Sequence, residues 1–264
     1  MSGLAWSAIR KWNSSGSPDM PITHPQSSRP HQLPLQVSLP ADAHLDALYA
    51  SPNAWFKAWL EEHWSQGLGD NQESNLLLEA APGAGLTHWL QAICRQGEDA
   101  GLPVFYLNLA DLTDYEPDVL EGMADMPLLC LDDAHRVLGQ PGWDEALFHL
   151  FNAQHDQGHR LVIGVQLPLS ELQATMLPDL YSRLTWGLRV SLKLPQEDSD
   201  WEQAIAWLAR QRGLNINQDT AHYLAVRGPR DWRGMADLMA TLDTRALAAK
   251  RRITQPFIRE VTGW

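Results

Sequence analysis

From about Asn75 onward, short apolar runs alternate with stretches of helical periodicity. The runs Asn75–Glu79, Pro103–Leu109, Leu128–Asp132, Arg160–Val165 and Leu188–Leu192 read as strands. Helical stretches lie between them, among them Trp143–Gln154, where Ala146, Leu147, Leu150 and Phe151 recur at helical spacing. Alternation of this kind predicts an α/β core, a parallel sheet with crossover helices. After Pro195 the strand-like runs stop, and Trp201–Arg212, Asp219–Arg227, Asp231–Ala248 and Thr254–Val261 read as the helices of a small all-α second domain. Pro256, just after Thr254, is a helix-start signal. Residues 1–31 carry neither period, and their Gly, Ser, Pro and isolated aromatics cannot bury enough surface to offset ordering entropy, which predicts a mobile tail.

Composition narrows the class. Hydrophobic residues form 44% of the 264, yet no apolar run approaches the length of a membrane span, about 20 residues. No export signal is evident at the start of the chain, so the expected location is cytoplasmic. Cys94 and Cys130 sit in apolar contexts and read as core thiols rather than a disulfide or zinc framework. A formal net charge of −12 opposes general binding to nucleic-acid phosphates, and the densest basic tract, Lys250-Arg251-Arg252, reads as a solvated face. Among the tryptophans, Trp55 and Trp59 stand four apart on one helix face and are expected in the core rather than at a base-stacking site.

The chemistry gathers after the first strand, where Ala80-Ala81-Pro82-Gly83-Ala84-Gly85-Leu86-Thr87-His88 leads into a helix. Strand, glycine-rich turn and helix are the context of a phosphate-binding loop, in which backbone amides turn towards phosphate oxygens and the helix N-terminus adds partial positive charge. Gly83, Gly85 and Thr87 hold the expected places, but Ala80 replaces the first glycine and Leu86 the lysine that reaches the terminal phosphates. Downstream, Leu128-Leu129-Cys130-Leu131-Asp132-Asp133 is an apolar strand ending in two carboxylates. In such an arrangement Asp132 serves a magnesium ion, with Thr87, and Asp133 orients attacking water. The alternative is two acids capping the next helix.

The segment Leu177-Pro178-Asp179-Leu180-Tyr181-Ser182-Arg183-Leu184-Thr185-Trp186-Gly187 resembles the arginine-finger region of the DnaA/Hda branch of the AAA+ proteins, whose core is SR(L/F)xWG. Arg230-Asp231-Trp232-Arg233-Gly234-Met235 is similar to the second-sensor segment of that branch, and the ending from Arg252 to Val261 resembles its shorter members, which lack a DNA-binding domain. Upstream, His31 to Pro40 resembles the segment that docks on the replication sliding clamp, with Gln32, Leu33 and Leu35 as its anchors.

The resemblance implies an AAA+ fold: a five-stranded parallel sheet with helices on both faces, then a helical lid. It divides the chain into a tail to residue 31, a clamp-binding segment at 32–40, a nucleotide-binding core at 41–195 and a lid at 196–264. It implies ADP or another nucleoside diphosphate, with magnesium possible, held by Gly83, Ala84, Gly85, Leu86, Thr87, His88, Arg233 and, near the adenine, Asn53. The implied partners are DnaA and the sliding clamp, the β subunit of DNA polymerase III, with Arg183 acting as a finger in the site of DnaA to promote ATP hydrolysis. Such a chain restrains initiation of chromosomal replication.

Two departures weaken turnover by the chain itself: Leu86 carries no charge, and the strand ending Val165-Gln166 offers no Thr, Ser, Asn or Asp as first sensor, Gln166 being the nearest polar residue. A stand-alone ATPase of the helicase-loader type and a nucleotide-free interaction module remain as alternatives. For Arg183 the plain alternative is an ion pair with Asp179, four residues earlier.

Overall fold

The computed structural model describes residues 39–40, 43–63 and 74–264. The expected tail and most of the expected clamp segment, including Gln32, Leu33 and Leu35, lie outside the described residues. Five parallel strands, β1 (Asn75–Ala80), β2 (Val104–Asn108), β3 (Leu128–Asp132), β4 (Arg160–Val165) and β5 (Leu188–Leu192), form one sheet in the order β2-β3-β4-β1-β5. The central strands β3 and β4 are buried along their whole length and β1 nearly so, which is why they read as continuous apolar runs rather than alternating ones.

Helix α1 (Ala54–His63) and helix α2 (Leu86–Asp99) belong to one core with Leu76, Leu78, Cys130 and Val162. In α2 the buried positions Leu86, Trp89, Leu90, Ile93, Cys94 and Gly97 follow helical spacing and turn one stripe to the sheet. The intervening strand residues Leu77, Leu129, Leu131 and Ile163 are buried too and point to the opposite face, and helix α3 (Trp143–Asp156) lies against β4. The short helix α4 (Pro178–Leu184) packs against α3 and leads into β5.

Beyond Pro195 come only helices: α5 (Asp198–Gln211), α6 (Gln218–Arg227), α7 (Trp232–Ala249) and α8 (Gln255–Thr262). Their starts are written locally. Glu197 and Asp200 form a reciprocal cap on α5, the Asn217 side chain accepts from the Thr220 amide on α6, and Asp231 accepts from the Gly234 amide on α7. Trp201, Ile205, Leu224, Met235, Met239, Leu242 and Phe257 form the second core.

Cys94 and Cys130 are free and buried, as expected. Trp59 packs on the core, but Trp55 does not follow the expectation: it is 55% exposed, because only one side of α1 faces the sheet and Phe56 and Leu60 occupy it. No helix among the described residues is long and apolar enough to cross a membrane.

Candidate functional site

The carboxyl ends of β1, β3 and β4 meet where β1 has β4 on one side and β5 on the other, the place where open α/β sheets hold ligands. Here a cleft of about 660 Å³ is lined by Gly83, Ala84, Gly85, Leu86, Thr87 and His88 of the loop. Asn108, Asp133 and Gln166 line it from three strand ends, Tyr49 from the segment before α1, and Trp207, Trp232, Arg233 and Asp237 from the helical domain. The loop residues expected from the sequence and Arg233 therefore converge on one cavity. Arg233 and His88 are exposed at it.

Gly83 and Gly85 have φ of 81° and 85°, backbone conformations that suit glycine and turn the chain sharply into α2. Gly83 also meets the helical domain, since the Trp232 amide donates to its carbonyl at 3.0 Å and a Cβ there would stand 2.5 Å from Cβ of Asp231. Leu86, in the lysine place, is 4% exposed and belongs to the apolar core, its methyls 3.2 Å from where a Cβ on Gly164 would sit. That position serves packing in this chain.

Asp132 is fully buried and both its carboxylate oxygens are hydrogen-bonded. Its Oδ2 accepts from Thr87 Oγ1 and from the Tyr106 hydroxyl, both at 2.7 Å, and its Oδ1 accepts from the Asp133 amide at 2.8 Å. Burial raises the pKa of Asp132, while the Thr87 and Tyr106 hydrogen bonds pull it down. The Tyr106 phenol is pushed far up, first by burial and then by the adjacent carboxylate, so it stays a donor.

Asp133 has φ of 52°, a left-handed conformation that short polar side chains tolerate. Both its oxygens are engaged: Asn108 Nδ2 donates to Oδ2 at 3.3 Å and Gln166 Nε2 donates to Oδ1. The Gln166 backbone N–H donates to Nδ1 of His135 at 3.4 Å. Burial lowers the pKa of His135 from 6.5, with Arg136 adding to the effect and Asp133 opposing it.

Sequence reasoning missed Tyr106 and Asn108, which only the strand register brings to the site: β2 pairs with β3 so that Asn108 lies opposite Asp132 along the ladder. It also missed Tyr49, Trp207 and Trp232, whose rings form tilted pairs 5.7 Å apart centred on Tyr49. Asn53 does not line the cleft. It is buried, with Nδ2 donating to the Lys193 carbonyl at 3.0 Å and Oδ1 accepting from the Lys193 amide at 2.8 Å, which ties the segment before α1 to the end of β5.

Arg183 is not part of the cleft lining either. It sits partly exposed near the end of α4, its guanidinium 4.9 Å from the centre of the Trp186 indole and not paired with Asp179. The turn after α4 is forced by Gly187, where a Cβ would lie 2.1 Å from the Asn75 carbonyl oxygen.

Two family models match the chain: the bacterial DnaA ATPase domain over residues 65–191 and the Hda lid domain over residues 198–262. The chain is an Hda-like DnaA homologue. Solved structures agree on the AAA+ fold. Domain III of the Thermotoga maritima replication initiation protein DnaA superposes with a TM-score of 0.70 at 20% identity, covering 85% of this chain and 97% of that one. AMPPCP-bound DnaA from Aquifex aeolicus gives 0.69 at 17% identity, covering 80% and 68%. The Thermotoga maritima RuvB Holliday junction branch migration motor gives 0.57 at 18%, covering 72% and 61%. The Hda-like lid is the helical domain whose α7 contributes Trp232 and Arg233 to the cleft.

Proposed function

We propose that this Hda-like chain is a cytoplasmic, nucleotide-bound negative regulator of chromosomal replication initiation. Together with the DNA-loaded sliding clamp, it stimulates hydrolysis of the ATP held by DnaA and leaves DnaA in its inactive ADP form. The reading rests on one separation. The chain's own cleft has a buried leucine in place of the phosphate-reaching lysine and an Asp133 with both oxygens engaged, whereas Arg183 stands outside that cleft on a partly exposed helix end. A guanidinium presented to a neighbour's γ-phosphate supplies positive charge where the transition state develops negative charge, and it needs no turnover of its own.

In the chain's own cleft, the loop amides and the N-terminus of α2 support a nucleoside diphosphate, while nothing at Leu86 reaches a third phosphate. In this reading Arg233, which the lid brings to the same cleft, is the residue that meets the phosphates. A magnesium ion fits this donor set only as a companion of the nucleotide. Thr87 Oγ1 donates its proton to Asp132 and keeps lone pairs for a metal, the Asp132 oxygens already accept three bonds, and no cluster of three His, Cys, Asp or Glu that could hold a metal exists among the described residues. Thr87 would hold the ion with Asp132 behind it, and the ion would neutralise phosphate charge.

Titration calorimetry tests the cleft: ADP binds more tightly than ATP, and a clear preference for ATP contradicts the proposal. Turnover by the chain alone on the order of one per second, the low end for phosphoryl-transfer enzymes, revives the stand-alone ATPase. The remaining alternative is the nucleotide-free interaction module, and the Trp232 amide bonded to the Gly83 carbonyl does not decide it, because phosphates take the loop's N–H groups. Failure to bind either nucleotide selects that reading.

A further inference from the structure

Trp186 is 57% exposed and follows the end of the helix that carries Arg183. Its place is fixed from both sides. The Trp186 amide donates to the Arg183 carbonyl at 3.1 Å, and Thr185 Oγ1 donates back to Tyr181 and Ser182, which winds the helix end tightly. On the other side Gly187 is pinned against the Asn75 carbonyl. The indole carried by this fixed stretch of backbone forms a shelf, with the Arg183 guanidinium over it and the His155 ring 5.2 Å from it.

The choice of partner matters. Arg95, Arg189, Arg230 and Arg251 each lie against a carboxylate, respectively Glu98, Glu79, Asp198 and Glu260, although Arg251 also lies over Phe257, and Arg259 shares the aromatic arrangement by lying over Tyr223. A carboxylate holds an arginine in place but neutralises it, and that bond must break before the guanidinium can meet a phosphate. An aromatic face attracts the cation without cancelling its charge, and it restricts a side chain that otherwise loses much rotamer entropy on being held.

We infer that Trp186 is a positioning residue for the Arg183 finger: it holds the guanidinium extended, charged and free of carboxylates, ready for a nucleoside triphosphate carried by a partner. This rests on the trans-acting role of Arg183 proposed above. The test compares the parent chain with Arg183→Ala, Trp186→Ala and Trp186→Phe, using the full chain, ATP-loaded DnaA and DNA-loaded clamp. Hydrolysis is followed against regulator concentration, so that the maximal stimulated rate separates from the half-saturating concentration. The stimulated rate is lost in Arg183→Ala and falls roughly fivefold in Trp186→Ala, the scale of one exposed cation–π contact. It returns to within about twofold in Trp186→Phe, which keeps a ring face. Half-saturation and melting temperature stay at parental values in both Trp186 variants.

A parental maximal rate in Trp186→Ala beside an inactive Arg183→Ala overturns the shelf and leaves the finger standing. A raised half-saturating concentration with an unchanged maximal rate makes Trp186 a docking contact and also overturns it, as does an equal loss in the Phe variant. If Arg183→Ala stimulates like the parent, the finger itself fails and the shelf with it.

Discussion

Leu86 shows how one side chain divides two functions. In the lysine place of the loop it lies in the core between α2 and β4, so the position that would read a third phosphate contributes packing instead. Leu86→Lys should cost about 1–3 kcal/mol of stability, the scale of one buried aliphatic side chain, and should tighten ATP more than ADP. Thermal melting and calorimetry check both, and a variant of parental stability with unchanged ATP affinity contradicts this account. His135 sets a pH dependence. Its folded pKa lies below 6.5, so on acidification through the window between that lowered value and 6.5 the unfolded chain takes up a proton that the folded chain does not, and stability falls. His135→Gln should flatten denaturant-measured stability across that window; an unchanged slope places the dependence elsewhere. Thr87, Asp132 and Asp133 were legible because loop and acidic strand come in a fixed chain order. Tyr106 and Asn108 were not, because only the β2–β3 register brings them to those acids. Trp55 misled because four-residue spacing placed it with Trp59, whereas Phe56 and Leu60 fill the covered side of α1 and only Trp59 reaches the core beside them.

At the level of elements, the strands were readable because central parallel strands are buried on both sides and show as plain apolar runs. The helices after Pro195 were readable from their period and start signals, with their observed ends shifted by a few residues. The seating of α7 on the phosphate loop was not, since it depends on tertiary contact between Gly83 and the pair Asp231 and Trp232. Gly83→Ala tests that seating: the positive φ and the contact at Asp231 together should cost roughly 2–4 kcal/mol and weaken nucleotide binding. Melting and calorimetry on one sample read both effects, and a variant with parental values for both shows the loop and lid to be independent. Gly187→Ala, which drives a methyl into the Asn75 carbonyl, should likewise lower stability by about 3 kcal/mol. Denaturant unfolding measures this, and a loss under about 0.5 kcal/mol, the surface norm, means that the turn after α4 yields freely.

For the whole molecule, a nucleotide cleft without turnover of its own, an arginine outside that cleft and a clamp segment upstream make up the proposed regulator. The tether should depend on Gln32, Leu33 and Leu35, because short docked peptides concentrate affinity in a few anchors. Gln32→Ala combined with Leu35→Ala should abolish retention on immobilised clamp while nucleotide affinity is kept; undiminished retention makes the segment a linker. The central claim is that Arg183 acts in another protein's site. Single-turnover hydrolysis of ATP already bound to DnaA, measured with DNA-loaded clamp and either the parent chain or Arg183→Ala, tests it most directly. An arginine finger contributes roughly 10³–10⁵ in rate in GTPase systems. The account predicts that the variant folds and binds clamp like the parent but gives no stimulation, with Arg183→Lys restoring little because a point charge lacks the planar fork. Stimulation by Arg183→Ala equal to that of the parent would contradict it.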